Sequence, residues 1–250
     1  MRRRVRASGL HFIVSLTIAI LSGLVVFCLW YPPPYGTFAG GLTLFTMLVS
    51  IDIVLGPVLT ALVASPAKPN AELRRDIAVI ALVQLLAFVY GMYSIAMARP
   101  VHLVFEKDRF CVVSVADIDP VQLSQASTAY RELSWTGPTL IAARESVTEE
   151  EKSRSLDLAI QGRDISMQPD RWVAYGPQAE AVLKKARPVK LLLDKYPQVA
   201  ESIRAIAINH NVANEHIYFL PLQSRQDSGV VLVAEPDARI IGYLLVDGFF

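Results

Sequence analysis

"LFTMLVSIDIVLGPVLTALVA", residues 44–64, is apolar enough for the interior of a bilayer except at Asp52, near its middle. A carboxylate at the centre of a membrane helix costs ~2.5–3.5 kcal/mol on insertion-based scales. Against this stand 13 Leu, Ile, Val or Phe residues between positions 42 and 63, each favourable by ~0.3–0.6 kcal/mol at the helix centre. Insertion wins, and the segment reads as a spanning helix in which the carboxyl group needs a reason.

The rest of the chain fits that reading. Its 250 residues are 53% hydrophobic with a mean hydropathy of +0.38, too apolar for an ordinary soluble protein. The excess is concentrated in three runs, at about 10–30, 38–64 and 77–98. Each is long enough to cross a ~30 Å hydrocarbon core as a helix. After Arg99 charges become dense and apolar runs short. The expected fold is a membrane protein: three N-terminal transmembrane α-helices over residues 1–98, followed by a small α+β periplasmic domain over 99–250. The first run follows "MRRRVR", exceeds the h-region of a signal peptide, and ends in "FCLWYPPPYG", which offers no small-residue cleavage site. It reads as an anchor.

Orientation follows from basic residues in the short flanks. Arg2, Arg3, Arg4 and Arg6 precede the first run, and Lys68, Arg74 and Arg75 lie between the second and third, whereas "YPPPYGTFAGG" is uncharged. Both basic flanks are expected in the cytoplasm and the outer domain outside it, which in a bacterium means the periplasm. Residues 1–98 carry +4 and the remainder −3, so nothing in the charge calls for a nucleic-acid partner.

In the outer domain, "VHLVFEKDRFCVVSV" predicts a hairpin turning at Lys107-Asp108. "TEEEKSRSLDLAIQG" predicts a helix with Thr148 and Glu151 as a capping box, Gly162 beyond its end, and Leu156, Ala159 and Ile160 on its apolar side. Helices are also expected in "PQAEAVLKKA" and "PQVAESIRAIAIN", the latter burying Val199, Ile203, Ile206 and Ala207. Strands close the chain around a turn at Glu235-Pro236-Asp237. With capped helices and terminal strands, a fragment beginning near Pro100 is expected to fold alone.

Catalytic patterns are missing. His11, His102, His210 and His216 have no metal-ligand spacing and read as surface or hydrogen-bonded residues. There is no phosphate loop and no nucleophile elbow, and an S-x-x-K match at 65–68 lacks its companion elements. The pairs Asp117/Asp119 and Glu106/Asp108 read as solvated carboxylates, and Cys28 and Cys111 as unpaired or, less simply, as a periplasmic bridge. No catalytic residue, metal or cofactor is expected.

An ordered set of motifs carries a resemblance. "WYPPPYG" after the first run, Asp52-x-x-x-Gly56-Pro57, "RRD" before the third run, Gln84 and Tyr90-Gly91 within it, "RPVHLVFEKDRFCVV" at its exit and "YFLPLQSR" near the end together resemble the TfpX/TfpZ type IV pilin accessory proteins. The resemblance implies a non-enzymatic inner-membrane factor that supports production or surface assembly of a type IV pilin. A periplasmic sensor and a pilin- or envelope-modifying transferase are the competing classes. Trp30, Tyr31 and Pro32 form a candidate interface motif after the first span. Asp52, Gly56, Pro57, Gln84 and Tyr90 form a candidate intramembrane polar site, with Gln84 and Tyr90 expected to hydrogen-bond the Asp52 carboxyl. Its use is open among an internal clip, a contact to a partner's transmembrane helix, and proton passage.

Overall fold

The structure, a computed structural model, describes residues 2–64 and 68–250, and side chains from Val5 onward. The S-x-x-K match lies largely outside the described residues, as do the side chains of Arg2, Arg3 and Arg4. The first helix, α1 (Arg2–Leu24), continues as a π-helical turn through Val25–Trp30. A single turn, α2 (Tyr35–Phe38), then leads to α3 (Gly41–Val63). Gly40 precedes α3 at φ +75°, a left-handed conformation that favours glycine. The third long helix, α4 (Asn70–Ala98), begins before the apolar run, and Lys68 just ahead of it pairs with Asp76 in its polar first turns at 2.6 Å. All three long helices are apolar and long enough to cross a membrane. Both α1 and α4 pack against α3 and barely touch each other.

After Arg99 the chain forms one mixed sheet with helices. Strands β1 (Pro100–Glu106) and β2 (Arg109–Ser114) make the expected hairpin, with Lys107 at φ +55° in its turn. Short α5 (Pro120–Gln125) leads to β3 (Thr139–Ala143), α6 (Glu149–Ile160) and β4 (Trp172–Ala174). Then come α7 (Ala179–Lys185), a two-residue β5 (Arg187–Pro188), α8 (Val189–Lys195) and α9 (Ala200–His210). The end is β6 (Ile217–Gln223), β7 (Gly229–Ala234) and β8 (Arg239–Leu244). The strand order is β4-β3-β1-β2-β6-β7-β8, with β5 paired to β6. The N-terminal hairpin and the C-terminal strands therefore meet at the parallel β2–β6 contact in the middle of the sheet.

Side chains alternate between the faces of the sheet as the period of two requires. On β6, Ile217 and Phe219 pack with Val189, Leu192 and Ile203 under α8 and α9. Leu220 and Leu222 face the other way, into a cluster with Leu103, Phe105, Phe110, Val231 and Val233. That cluster is closed by Tyr31, Tyr35, Phe38 and Ile95, residues that precede the sheet in sequence. The fragment expected to fold alone from Pro100 onward would lack this cover: one face of its sheet packs against the loop between the first two long helices.

Further expectations change. Strands β3 and β4 have no strong alternation in sequence and were not anticipated. Helix α6 turns its apolar side outward, with Leu156 and Ile160 exposed. It is oriented instead by polar contacts: buried Arg171 donates to the Glu151 carboxylate at 2.6 Å and to Ser155 Oγ at 3.2 Å, while Arg144 makes a two-pronged pair with Glu151. These bonds hold the Glu151 carboxyl well below the usual range, with Arg144 the largest cause. Thr148 caps the helix, accepting from the Glu151 amide at 3.2 Å, but the Glu151 side chain reaches Val147 N rather than closing the box. Glu106, expected to be solvated, is buried and accepts from Ser166 N at 2.9 Å. Asp117 pairs with Arg225, and Asp119 caps α5 and pairs with Arg163. Both cysteines are free thiols, Cys28 exposed and Cys111 buried.

A buried histidine makes the sheet domain sensitive to acid. His102 on β1 lies against Trp172 with ring centroids 4.5 Å apart, and its Nδ1 meets Thr139 Oγ1 at 2.6 Å. Burial lowers its pKa from 6.5 to about 4, so the folded state holds it neutral. The unfolded chain binds the proton more readily between these values. Stability is therefore full above pH 6.5 and falls as the pH drops toward 4, by roughly 3 kcal/mol in all. Thermal unfolding at pH 7.5 and pH 5 measures this slope, and His102→Gln is expected to flatten it.

Candidate functional site

The membrane helices enclose a groove of about 300 Å³, open to one side. Its walls are His11, Val14, Ser15, Ile18 and Ala19 of α1 and Ala81, Gln84, Leu85 and Phe88 of α4; Val49 and Asp52 of α3 form its floor. Two features of the sequence place the polar groups. Pro57 lacks the amide that would bond the carbonyl one turn earlier, which loosens α3 below Asp52. Gly56 has no side chain where the Gln84 amide sits: a Cβ there would lie 2.4 Å from Gln84 Nε2 and 2.8 Å from His11 Nε2. The polar side chains of His11 on α1 and Gln84 on α4 therefore converge over the bare backbone of α3.

Of the expected site residues, Asp52, Gly56 and Gln84 come together, with Pro57 beside them on α3, and Tyr90 does not. Gln84 Nε2 donates to the Asp52 backbone carbonyl at 3.4 Å and does not bond the carboxyl as expected. The Gln84 Oε1 atom is buried with no hydrogen-bond partner among the described residues. Tyr90 is 72% exposed on another side of α4, because its position is about half a helical turn from the groove-lining face. His11 and Thr60 were missed: His11 Nδ1 meets Thr60 Oγ1 at 2.6 Å, tying α1 to α3. The available signal was an ionisable residue at the start of an apolar run, which in a membrane is a site by default.

The second expected motif faces inward. Tyr31 is buried, its hydroxyl donates to the Ile95 carbonyl at 2.9 Å, and its ring fills the space left by Gly41. Pro32 abuts Gly137, and Trp30 packs half-buried against the same core. Tyr35 Oη lies 3.0 Å from Tyr243 Oη, and Ser224 Oγ donates to the Phe38 carbonyl at 2.6 Å. Burial pushes the Tyr31 and Tyr35 hydroxyls well above their ordinary pKa, so both remain protonated. At the exit of α4, Arg99 donates to the Ala96 carbonyl at 2.8 Å and lies 4.0 Å over the Trp135 ring, a favourable charge at a helix C-terminus. Trp30, Tyr31 and Pro32 thus belong to an internal joint between the long helices and the sheet.

Two proteins of Dichelobacter nodosus are similar over almost their full length. The fimbrial assembly protein of serogroup I is 35% identical over 245 residues, covering 98% of this chain and 95% of its own. That of serogroup E1 is 33% identical over 249 residues, covering 98% and 95%. The chain belongs to the fimbrial assembly protein family. A family model described as fimbrial assembly protein FimB matches residues 1–40, a segment that contains His11 and all of "WYPPPYG". No solved structure is similar. Within this fimbrial assembly protein the two regions singled out by sequence have different surroundings: one is an open polar groove among apolar helices, the other a closed joint.

Proposed function

We propose that the chain is an inner-membrane accessory factor that supports production or surface assembly of a type IV pilin, that it acts without catalysis, and that it is close in role to the TfpX/TfpZ accessory proteins. The observation that carries this reading is the likeness, along nearly the whole chain, to proteins named for fimbrial assembly. The architecture supports it physically. A pilin must leave the bilayer for a growing fibre, and a factor with membrane helices firmly jointed to an outer domain can hold a subunit on both sides of that step. Its partners are then the pilin and the lipids of the inner membrane.

The reading places the N-terminus in the cytoplasm and the sheet domain in the periplasm. Fusions to a reporter active only outside the cytoplasm are expected to be active at position 36 and after Phe250, and inactive at position 70. An inactive C-terminal fusion in a stably made protein reverses the orientation. The function itself is tested by deleting the gene and measuring both pilin level and surface pili. Surface pili are expected to fall, with recovery on re-expression; unchanged pilin and pili overturn the assembly role.

A further inference from the structure

We propose that the groove between α1 and α4 is a docking site for one transmembrane helix of a partner, carrying a hydrogen-bond donor opposite Asp52. The inference rests on the assembly reading, in which that partner is the pilin.

Three observations point to a helix rather than a lipid. The first is packing: α1 and α4 both pack on α3 and scarcely on each other, meeting through the His11 and Gln84 side chains over Gly56, so a fourth helix laid in the groove completes a bundle. The second is the lining of α1, where Ser15 and Ala19 face the groove four residues apart. Small residues at this spacing let a neighbouring helix backbone approach closely. The third is chemical. The Asp52 carboxyl accepts from no described side chain, and Gln84 Oε1 is buried without a partner among the described residues. Two groups with an unused acceptor oxygen at one depth are matched by a donor on a facing helix. Asp52 lies twelve residues above Ala64, about 18 Å along the helix and well inside a ~30 Å hydrocarbon core. A lipid headgroup does not reach there, and an acyl chain brings nothing to donate. A polar side chain on a spanning helix does both.

The test uses full-length protein in the membrane, co-expressed with tagged pilin. A photoreactive residue is placed at Ile18 or Leu85 on the groove, or at Ile20 or Val83 on the opposite faces of the same helices. Pilin is expected to crosslink from the groove positions and not from the opposite ones. With Asp52→Leu at equal abundance the groove yield falls by roughly 3–30-fold, the range that one interhelical hydrogen bond supports; with Asp52→Asn, which keeps an acceptor oxygen, it persists. Equal crosslinking from all positions, groove crosslinks only to lipid or to a second copy of this chain, or a yield unmoved by Asp52→Leu overturns the proposal. If deletion abolishes pili while the groove never meets pilin, the assembly role stands and the docking site falls.

Discussion

Phe38→Ala is expected to lower the thermal transition of the detergent-solubilised protein by about 10 °C. Phe38 is 1% exposed, lies 6.4 Å from the Tyr243 ring and fills the space above Gly229, where a Cβ would come within 2.5 Å of it. Removing a buried Phe costs about 3–5 kcal/mol, and in a chain of this size each kcal/mol moves the transition by roughly 2–4 °C. The effect is large because the residue belongs to the loop and its contacts belong to the sheet. A fragment of residues 100–250 is accordingly expected to unfold without cooperativity, since it leaves Leu220, Leu222, Val231 and Tyr243 without their cover. Circular dichroism melts of both proteins decide it. An unchanged transition in Phe38→Ala would mean that the joint contributes no stability.

Gly56→Leu is expected to break the intramembrane polar cluster. Even its first side-chain atom is placed 2.4 Å from Gln84 Nε2 and 2.8 Å from His11 Nε2, so the Gln84 amide must leave the Asp52 carbonyl and the His11 ring must move. Overpacking costs about 1–3 kcal/mol, and lost interhelical hydrogen bonds ~0.6–2 kcal/mol each. The protein should therefore lose several kcal/mol of stability in detergent while its sheet domain keeps its own spectrum. Truncating the clashing group relieves much of the strain, so Gly56→Leu and Gln84→Ala are expected to be strongly non-additive when combined. Additive losses would place Gln84 away from Gly56.

How much of this could be read in advance depends on the range of the interaction. The long helices were legible because hydropathy over some twenty residues is a local property. The Lys107-Asp108 hairpin and the Thr148 cap were legible because turns and caps are set by neighbours within three or four positions. Short β3 and β4 were not, because they are strands only by virtue of pairing with β1 and with each other. Helix α6 misled for a related reason: its spacing of Leu156 and Ile160 fits a buried face, yet buried Arg171, distant in sequence, turns Ser155 inward. In the site, Asp52 was conspicuous because a carboxyl group in an apolar run is costly. His11 was passed over as one histidine among four, since its contact to Thr60 spans 49 positions. Tyr31 and Pro32 were marked as an interface, but sequence alone gave no means to tell an outward face from a joint filled by Gly41, Ile95 and Gly137.

The most direct measurement is a count of surface pili by electron microscopy in a deletion strain re-expressing Asp52→Leu or Asp52→Asn at wild-type abundance. Leucine removes the acceptor while easing insertion by about 2.5–3.5 kcal/mol, so loss of pili in this variant cannot come from failure to enter the membrane. One interhelical hydrogen bond is worth ~0.6–2 kcal/mol, a factor of about 3–30 in occupancy. The account predicts near-normal piliation with Asp52→Asn and piliation reduced by that factor with Asp52→Leu. Full piliation with Asp52→Leu at matched abundance would contradict it.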